Sequence, residues 1–431
     1  MGKSNQSLQE HFVHIGERDG WGGTRPFGLG LADRRQHAYI IGQTGSGKTT
    51  LLKNLIAQDI AAGFGVAVLD PHGDLADELL DLIPPWRTDD LIYFDPADLE
   101  YPVGLNLLAN VDADQRHLVT SGVVGALKSI WGDTSWGPRM EYILANAVAA
   151  LMECQNVSLL GIQRLLVDER YLEWVIRQVR DPAVRQFWKG EFASWDRRFR
   201  VEAVAPIQNK VGQLLLSPPV RNVLGQIRSA FNARYIMDHQ RIFIANLSKG
   251  RLGADKSDLL GAILVTQFQL AAMSRANVPE HQREDFLLYV DEFQNFGTES
   301  FISILSEARK YHLCLTLCHQ HLEQIPDPLR DSIFGNAGSL ISFRVSESNG
   351  STLSRAYGSL YPPETFTDLE NFQVCCRLLE AGRHGEPFVG NTLAPELQIF
   401  GRRAKLLRRS RERYATPRRL IEDRIRRWLG A

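Results

Sequence analysis

Tyr39-Ile40-Ile41-Gly42-Gln43-Thr44-Gly45-Ser46-Gly47-Lys48-Thr49-Thr50 is an apolar run that breaks into glycines and closes on a lysine and two threonines. Tyr39 to Ile41 predicts a buried strand, and Leu51-Leu52-Lys53-Asn54-Leu55-Ile56 opens an amphipathic helix. Between them, Gly42 to Thr49 follows G-x-x-x-x-G-K-T, and a strand before and a helix behind are the context in which this spacing forms a phosphate-binding loop. Gly45 and Gly47 let successive backbone N–H groups turn toward phosphate oxygens, and the helix N-terminus adds partial positive charge. The pattern predicts a site for a nucleoside triphosphate, taken as ATP, with Mg²⁺. Gly42, Thr44, Gly45, Ser46, Gly47, Lys48, Thr49 and Thr50 would surround the phosphates. Lys48 would reach the β- and γ-phosphates, and the Thr49 hydroxyl would hold the metal.

Outward from the loop, Gly65-Val-Ala-Val-Leu-Asp70 reads as a second buried strand and completes a β-α-β unit; Leu91 to Asp95 reads as a third. Asp70-Pro-His-Gly-Asp74 is expected to be a tight turn with Asp74 as helix N-cap rather than a catalytic group. Strand patterns return at 241–246, 286–291, 313–318, 339–343 and 372–378. From Asp112 to Asp238 the periodicity is helical, with starts at Pro138 and Asp181-Pro182. The expectation is an α/β fold: a doubly wound, mainly parallel sheet interrupted by an all-helical insertion.

Phe286-Leu-Leu-Tyr-Val-Asp291-Glu292 supplies what a phosphate loop needs from a neighbouring strand. Asp291, at the strand end, is assigned to Mg²⁺, and Glu292 to polarising the water that attacks the γ-phosphate. A switch protein has no need of the second carboxylate, so hydrolysis is favoured over binding alone. Gln320, after the Cys314–Cys318 strand, reads either as a sensor of the γ-phosphate or as a polar strand cap. Arg309 reads either as a surface cation or as a finger reaching a neighbour's nucleotide.

The chain has 431 residues, 44% hydrophobic and 23% charged, values of a water-soluble globular protein. Its longest apolar-rich segment, Leu259 to Ala272, is broken by Thr266, Gln267 and Gln269, so a buried helix is expected and no membrane span. The first 30 residues lack a signal-type apolar core, and Cys154, Cys314, Cys318, Cys375 and Cys376 form no C-x-x-C pair. A cytoplasmic protein with reduced core cysteines is expected. The net charge of −1 divides unevenly: twelve Arg or Lys against three Asp or Glu from Gly401 onward give +9, leaving −10 on the rest. That run, lacking balancing acids of its own, points to an anionic partner through Arg402, Arg403, Lys405, Arg408 and Arg409, with DNA preferred over acidic lipid.

In order, Ile-Gly-Gln-Thr-Gly-Ser-Gly-Lys-Thr-Thr (41–50), Asp-Pro-His-Gly-Asp (70–74), Ser-Trp-Gly-Pro-Arg-Met-Glu (135–141), Asn-Leu-Ser-Lys-Gly (246–250), Tyr-Val-Asp-Glu-Phe-Gln-Asn-Phe (289–296), Ser-Glu-Ala-Arg-Lys-Tyr (306–311) and His-Gln (319–320) resemble the additional-strand P-loop motors of the HerA/FtsK superfamily. Within it they are most similar to the type IV secretion coupling proteins (the VirD4/TraD/TrwB family). The resemblance implies a RecA-like nucleotide domain over 37–111 and 239–395 and an all-α domain over 112–238. It also implies six subunits in a ring around a DNA channel. A lead with short strands at 1–36 and a basic helical tail at 396–431 complete the expected organisation. Arg309 then corresponds to the trans-acting finger and Gln320 to the sensor, with Arg330 and Arg344 as reserve fingers.

The first 36 residues carry neither the transmembrane pair of the secretion members nor room for the β-barrel of HerA-type motors. The resemblance therefore implies a cytoplasmic DNA translocase for conjugative or mobile-element transfer, reaching a membrane channel or relaxase through partner contacts. The rivals are a HerA-like DNA-processing motor, a protein-secretion or assembly ATPase similar to VirB4, and a nucleotide-gated scaffold without turnover.

Overall fold

The computed structural model describes residues 11–20, 22–109, 111–131, 136–297, 299–395 and 397–429. Ser135 of the quoted motifs lies outside the described residues, as do residues 1–10 of the lead. The chain divides into two compact units. One comprises residues 1–93, 233–246 and 271–409, the other residues 94–232, 247–270 and 410–431.

The first unit is built on one mixed sheet. Its strands are β1 (Phe12–Gly20), β2 (Gly23–Gly30), β3 (Ala38–Ile41), β4 (Gly65–Asp70), β5 (Leu91–Phe94), β6 (Ile242–Asn246), β7 (Phe286–Val290), β8 (Leu313–His319), β9 (Ser339–Ser342), β10 (Gln373–Arg377) and, after a two-residue ribbon of β11 (Leu379–Glu380) and β12 (Arg383–His384), β13 (Phe388–Thr392). The order across the eleven-stranded sheet is β2-β1-β13-β10-β9-β3-β8-β7-β4-β6-β5. From β9 through β6 every neighbouring pair is parallel. The parallel strands are buried on both faces, which is why Val66 to Leu69 and Phe286 to Val290 are apolar at consecutive positions.

Beyond β9 the pairing turns antiparallel through β10, β13, β1 and β2. Two parts of this wing were not anticipated: β13 lacks a clear alternating pattern, and β1 and β2 are nine and eight residues long rather than short.

One polar cluster ties these strands to the phosphate-loop helix Lys48–Ala62. Arg34, 4% exposed, grips Asp59 with both terminal nitrogens at 2.8 and 2.7 Å and also donates to the Tyr289 hydroxyl at 2.6 Å. Tyr289 in turn donates to Asp59, and His11 lies 3.1 Å from it. Burial pushes the Asp59 carboxyl up, but the charge and hydrogen bonds of Arg34 outweigh it and hold the group below its ordinary range.

The second unit is helical. Pro138 is the first residue of the helix Pro138–Met152, and Asp181 caps Pro182–Gln186 by accepting from Ala183 N at 2.8 Å. Trp188 and Phe192, both 1% exposed, pack with ring centroids 4.9 Å apart and form an aromatic centre with Phe187. The helix Ala254–Met273 continues to Asn277 in a final tighter turn; this stretch is long and apolar enough to cross a membrane, yet its most apolar window is 67% buried within the protein. The five cysteines are free and buried.

Candidate functional site

The site forms where the parallel strands end. β3 runs into Gly42, β8 into Gln320, β7 into Asp291 and β4 stops at Asp70. Because β8 lies between β3 and β7, the residue that follows it stands between the phosphate loop and the Asp-Glu pair. Thr44 Oγ1 donates to Gln320 Oε1 at 3.0 Å, and Gln320 Nε2 donates to Glu292 Oε1. The second Glu292 oxygen accepts from Gln294 Nε2 at 2.7 Å.

The loop itself has the shape its glycines predict. Gly45 and Gly47 take φ of +78° and +118°, and Gly47 stands as N-cap with no side-chain hydrogen bond to the helix that follows. The amides of the first helical turn have no intrahelical acceptor, so this end offers N–H donors to an anion. At Gly47 an added Cβ would come within 2.8 Å of the Phe372 ring and 3.0 Å of Phe343, so glycine is required for space as well as for φ. Lys48, 6% exposed, folds back to donate to the Gln43 carbonyl at 2.9 Å. Gly42 N donates to the His319 carbonyl at 3.2 Å, and the His319 ring meets the Tyr39 hydroxyl at 3.0 Å. Burial, followed by the charges of His321 and Lys48, pushes His319 down to about 3, so it stays neutral under the loop.

Asp291 and Glu292 are each 5% exposed. Burial, then the neighbouring Glu292 and Asp70 charges, push Asp291 up to about 6, while a hydrogen bond from the Cys318 thiol opposes the rise. Glu292 adopts φ +46°, a left-handed conformation that costs a non-glycine residue about 1–2 kcal/mol. Glu292 is thus held in a conformation that local propensity would not choose, as is common where chemistry is done.

Nucleotide and Mg²⁺ fit this arrangement. The uncapped helix end and Lys48 would take the phosphates, and Thr49 with Asp291 would take the metal, which would shield charge on the phosphates. Asp70, at the same edge, is a structural group. It accepts from His72 N at 2.8 Å and Ala76 N at 2.9 Å, so it is Asp70 that ties down the turn and the start of the helix, while Asp74 is the first helical residue.

The other candidates fall elsewhere. Arg309 lies exposed in a turn just before β8, at the opposite ends of the strands from Gln320. A seven-residue strand spans about 20 Å, so Arg309 cannot reach its own chain's loop. Arg330 pairs with Asp327 at 2.9 Å. Arg344 sits beside its own loop, its carbonyl accepting from Gln43 N at 2.8 Å.

In the tail, Arg402 donates to Thr88 at 3.0 Å, Arg403 pairs with Asp77, and Arg409 with Asp89 at 2.7 Å. Asp77 and Asp89 thus supply from distant positions the balancing acids that the local sequence lacks, and the expectation of an unneutralised basic run is corrected for Arg403 and Arg409, while the partner of Arg402 is a neutral hydroxyl. Lys405 and Arg408 are exposed. Sequence reasoning assigned no role to Gln294, Cys318 or Phe372. Gln294 alone carried a signal, two residues after Glu292.

The chain matches the family described as Helicase HerA, central domain (DUF87) over residues 22–205. Among solved structures it is similar to the plasmid coupling protein TrwB in complex with ADP and Mg²⁺, with TM-score 0.63 and 16% identity over 91% of this chain and 97% of that one. The fold is that of the RecA-like P-loop NTPases, as in TrwB. The unbound bacterial conjugative coupling protein TrwB also matches, with TM-score 0.62 and 14% identity over 86% and 88% of the two chains. VirB4 of Thermoanaerobacter pseudethanolicus matches with TM-score 0.56 and 12% identity over 89% and 96%. No curated protein matches the sequence.

Proposed function

We propose that the chain is an ATP-hydrolysing motor that works as a ring, hexameric by analogy with its superfamily, and moves DNA in the manner of a coupling protein. The observation that carries hydrolysis is the hydrogen-bonded linkage Thr44–Gln320–Glu292, which runs from the exposed rim of the phosphate loop to a buried carboxylate placed to activate water. Lys48, Thr49 and Asp291 hold MgATP, and Glu292 takes the proton of the attacking water. Gln320 couples the state of the phosphate loop to that carboxylate.

The ring rests on Arg309. Its place at the far strand ends removes it from its own site and leaves it to complete a neighbour's. DNA as cargo rests on the likeness to a plasmid coupling protein and on the exposed Lys405 and Arg408. A cytoplasmic motor that meets a relaxase or a secretion channel through partner contacts is the setting this reading favours.

A second reading, a protein-secretion or assembly ATPase, is favoured by the likeness to VirB4 and by the internal pairing of Arg402, Arg403 and Arg409. Measuring ATP turnover without nucleic acid, with single-stranded DNA and with duplex DNA, alongside particle mass with ATP, separates the two. Turnover stimulated by DNA in a particle of about six chains supports the motor. Turnover indifferent to DNA supports the alternative, and a monomer with full activity overturns the ring.

A further inference from the structure

Two phenylalanine rings touch the phosphate loop, and burial explains only one of them. Phe343 is 0% exposed and lies under Gly42 and Gly47 as core. Phe372 is 44% exposed although it touches the same Gly47. Its backbone has φ +65°, a genuine outlier for a bulky aromatic residue.

That conformation is fixed by bonds on both sides of the residue. Phe372 N donates to the Ser46 carbonyl at 2.8 Å, within the phosphate loop, and its own carbonyl accepts from Thr392 N at 2.8 Å and Thr392 Oγ1 at 3.1 Å. Arg344 braces the same segment. Its carbonyl accepts from Gln43 N at 2.8 Å and its guanidinium donates to Asn371 at 3.2 Å. The protein therefore spends backbone strain to stand an apolar ring in solvent at the rim of a phosphate site, where it gains little from burial.

We infer that Phe372 is the nucleobase platform of this site: an aromatic wall against which the flat face of a purine stacks while the phosphates lie on the loop. The inference rests on the nucleotide reading above and adds to it the part of the ligand recognised. Stacking uses the π-face that every base has, and base–aromatic contacts contribute about 1–3 kcal/mol. Adenine and guanine nucleotides therefore gain alike, and a ligand without a base gains nothing.

Calorimetry on the full chain with MgATP, MgGTP and inorganic tripolyphosphate tests this. Phe372→Asn removes the ring while suiting the left-handed backbone, so the fold is retained; Phe372→Tyr keeps the platform. The expected result is a loss of about tenfold in affinity for both ATP and GTP in Phe372→Asn, no change for tripolyphosphate, and near-normal binding in Phe372→Tyr. Equal losses for ATP and tripolyphosphate would show that the ring only supports the loop. Unchanged ATP affinity with a reduced particle mass would make it a subunit contact. Either outcome overturns the platform and leaves nucleotide binding standing. If the unaltered chain binds none of the three ligands, the nucleotide reading itself falls.

Discussion

Gln320 joins Thr44 to Glu292: its oxygen accepts from the Thr44 hydroxyl at 3.0 Å and its amide nitrogen donates to the carboxylate. One side chain thereby contacts the phosphate loop on one side and the candidate general base on the other. The strand order makes this possible, since β8 delivers Gln320 between β3 and β7. A displacement of Thr44 by phosphate would reach Glu292 through Gln320 alone.

Glu292→Gln should abolish steady-state ATP turnover by at least about 10²-fold, the usual contribution of a general base, while leaving MgATP binding close to normal. Gln320→Ala should lower kcat by about tenfold or more with little change in KM, because it releases Glu292 without touching the phosphate cradle. Turnover assays with a parallel binding titration check both. A Glu292→Gln protein that still hydrolyses ATP would remove the residue from its assigned role.

The parts of this site that were legible in the sequence are those fixed by local spacing. Gly42 to Thr49 and Phe286 to Glu292 each declare a strand, a turn and a polar end within a dozen residues. What escaped depends on long-range register. Phe372 reaches the loop only because β10 lies two strands from β3, a distance of 325 residues along the chain from Gly47. The antiparallel wing was hidden for a similar reason, since β1 pairs with β13 across nearly the whole chain. The tail misled because its acids, Asp77 and Asp89, lie far away in sequence.

Asp291 carries a stability cost that pH should reveal. Its folded pKa of about 6 lies above the ordinary carboxylate value, so the folded chain binds the proton more tightly than the unfolded one. The destabilisation is fully present above pH 6 and is relieved as pH falls toward the unfolded value near 4. Asp291→Asn should therefore raise stability in Mg²⁺-free buffer at pH 7.5, by at most roughly 3 kcal/mol, and this gain should shrink by pH 4.5. Denaturant titrations at the two pH values test it, and a gain equal at both would assign the effect to packing. Turnover should be lost in the same variant.

Arg34 and Asp59 should behave as a buried pair in which either partner alone is harmful. Asp59→Asn or Arg34→Met leaves an uncompensated charge or donor in the core, a change that usually costs about 3–5 kcal/mol. The depressed Asp59 pKa supports the fold above the unfolded carboxylate value, and that support is lost as pH falls through the folded value. Denaturant midpoints of the two single variants and the double variant should show non-additivity, the double variant being less damaged than the sum. Additive losses would mean that the two groups do not depend on each other.

The tail is best tested by charge and not by truncation. Leu406 and Ile421 are 0% and 1% exposed, so cutting at Gly401 would unfold packing along with any nucleic-acid binding surface. Lys405→Glu with Arg408→Glu should weaken DNA binding and lower the dependence of log K on log salt by about 1–2 units, roughly one for each phosphate that is no longer neutralised. Thermal stability should change little. An unchanged slope would place the DNA-binding surface elsewhere.

Arg309 provides the test of shared active sites. From the far end of β8 it cannot approach its own Lys48, so a trans role requires a second subunit. Arg309→Ala should reduce turnover by about 10³-fold or more, as removal of an arginine finger does, and ATP affinity should stay near normal. Mixing it with Lys48→Ala chains, which keep the finger and lose the nucleotide, creates interfaces where an intact Lys48 faces an intact Arg309. Turnover should therefore rise above that of either variant alone, to a maximum at intermediate ratios. A mixture that never exceeds its components would remove Arg309 from the neighbouring site, and with it the main structural argument for a ring.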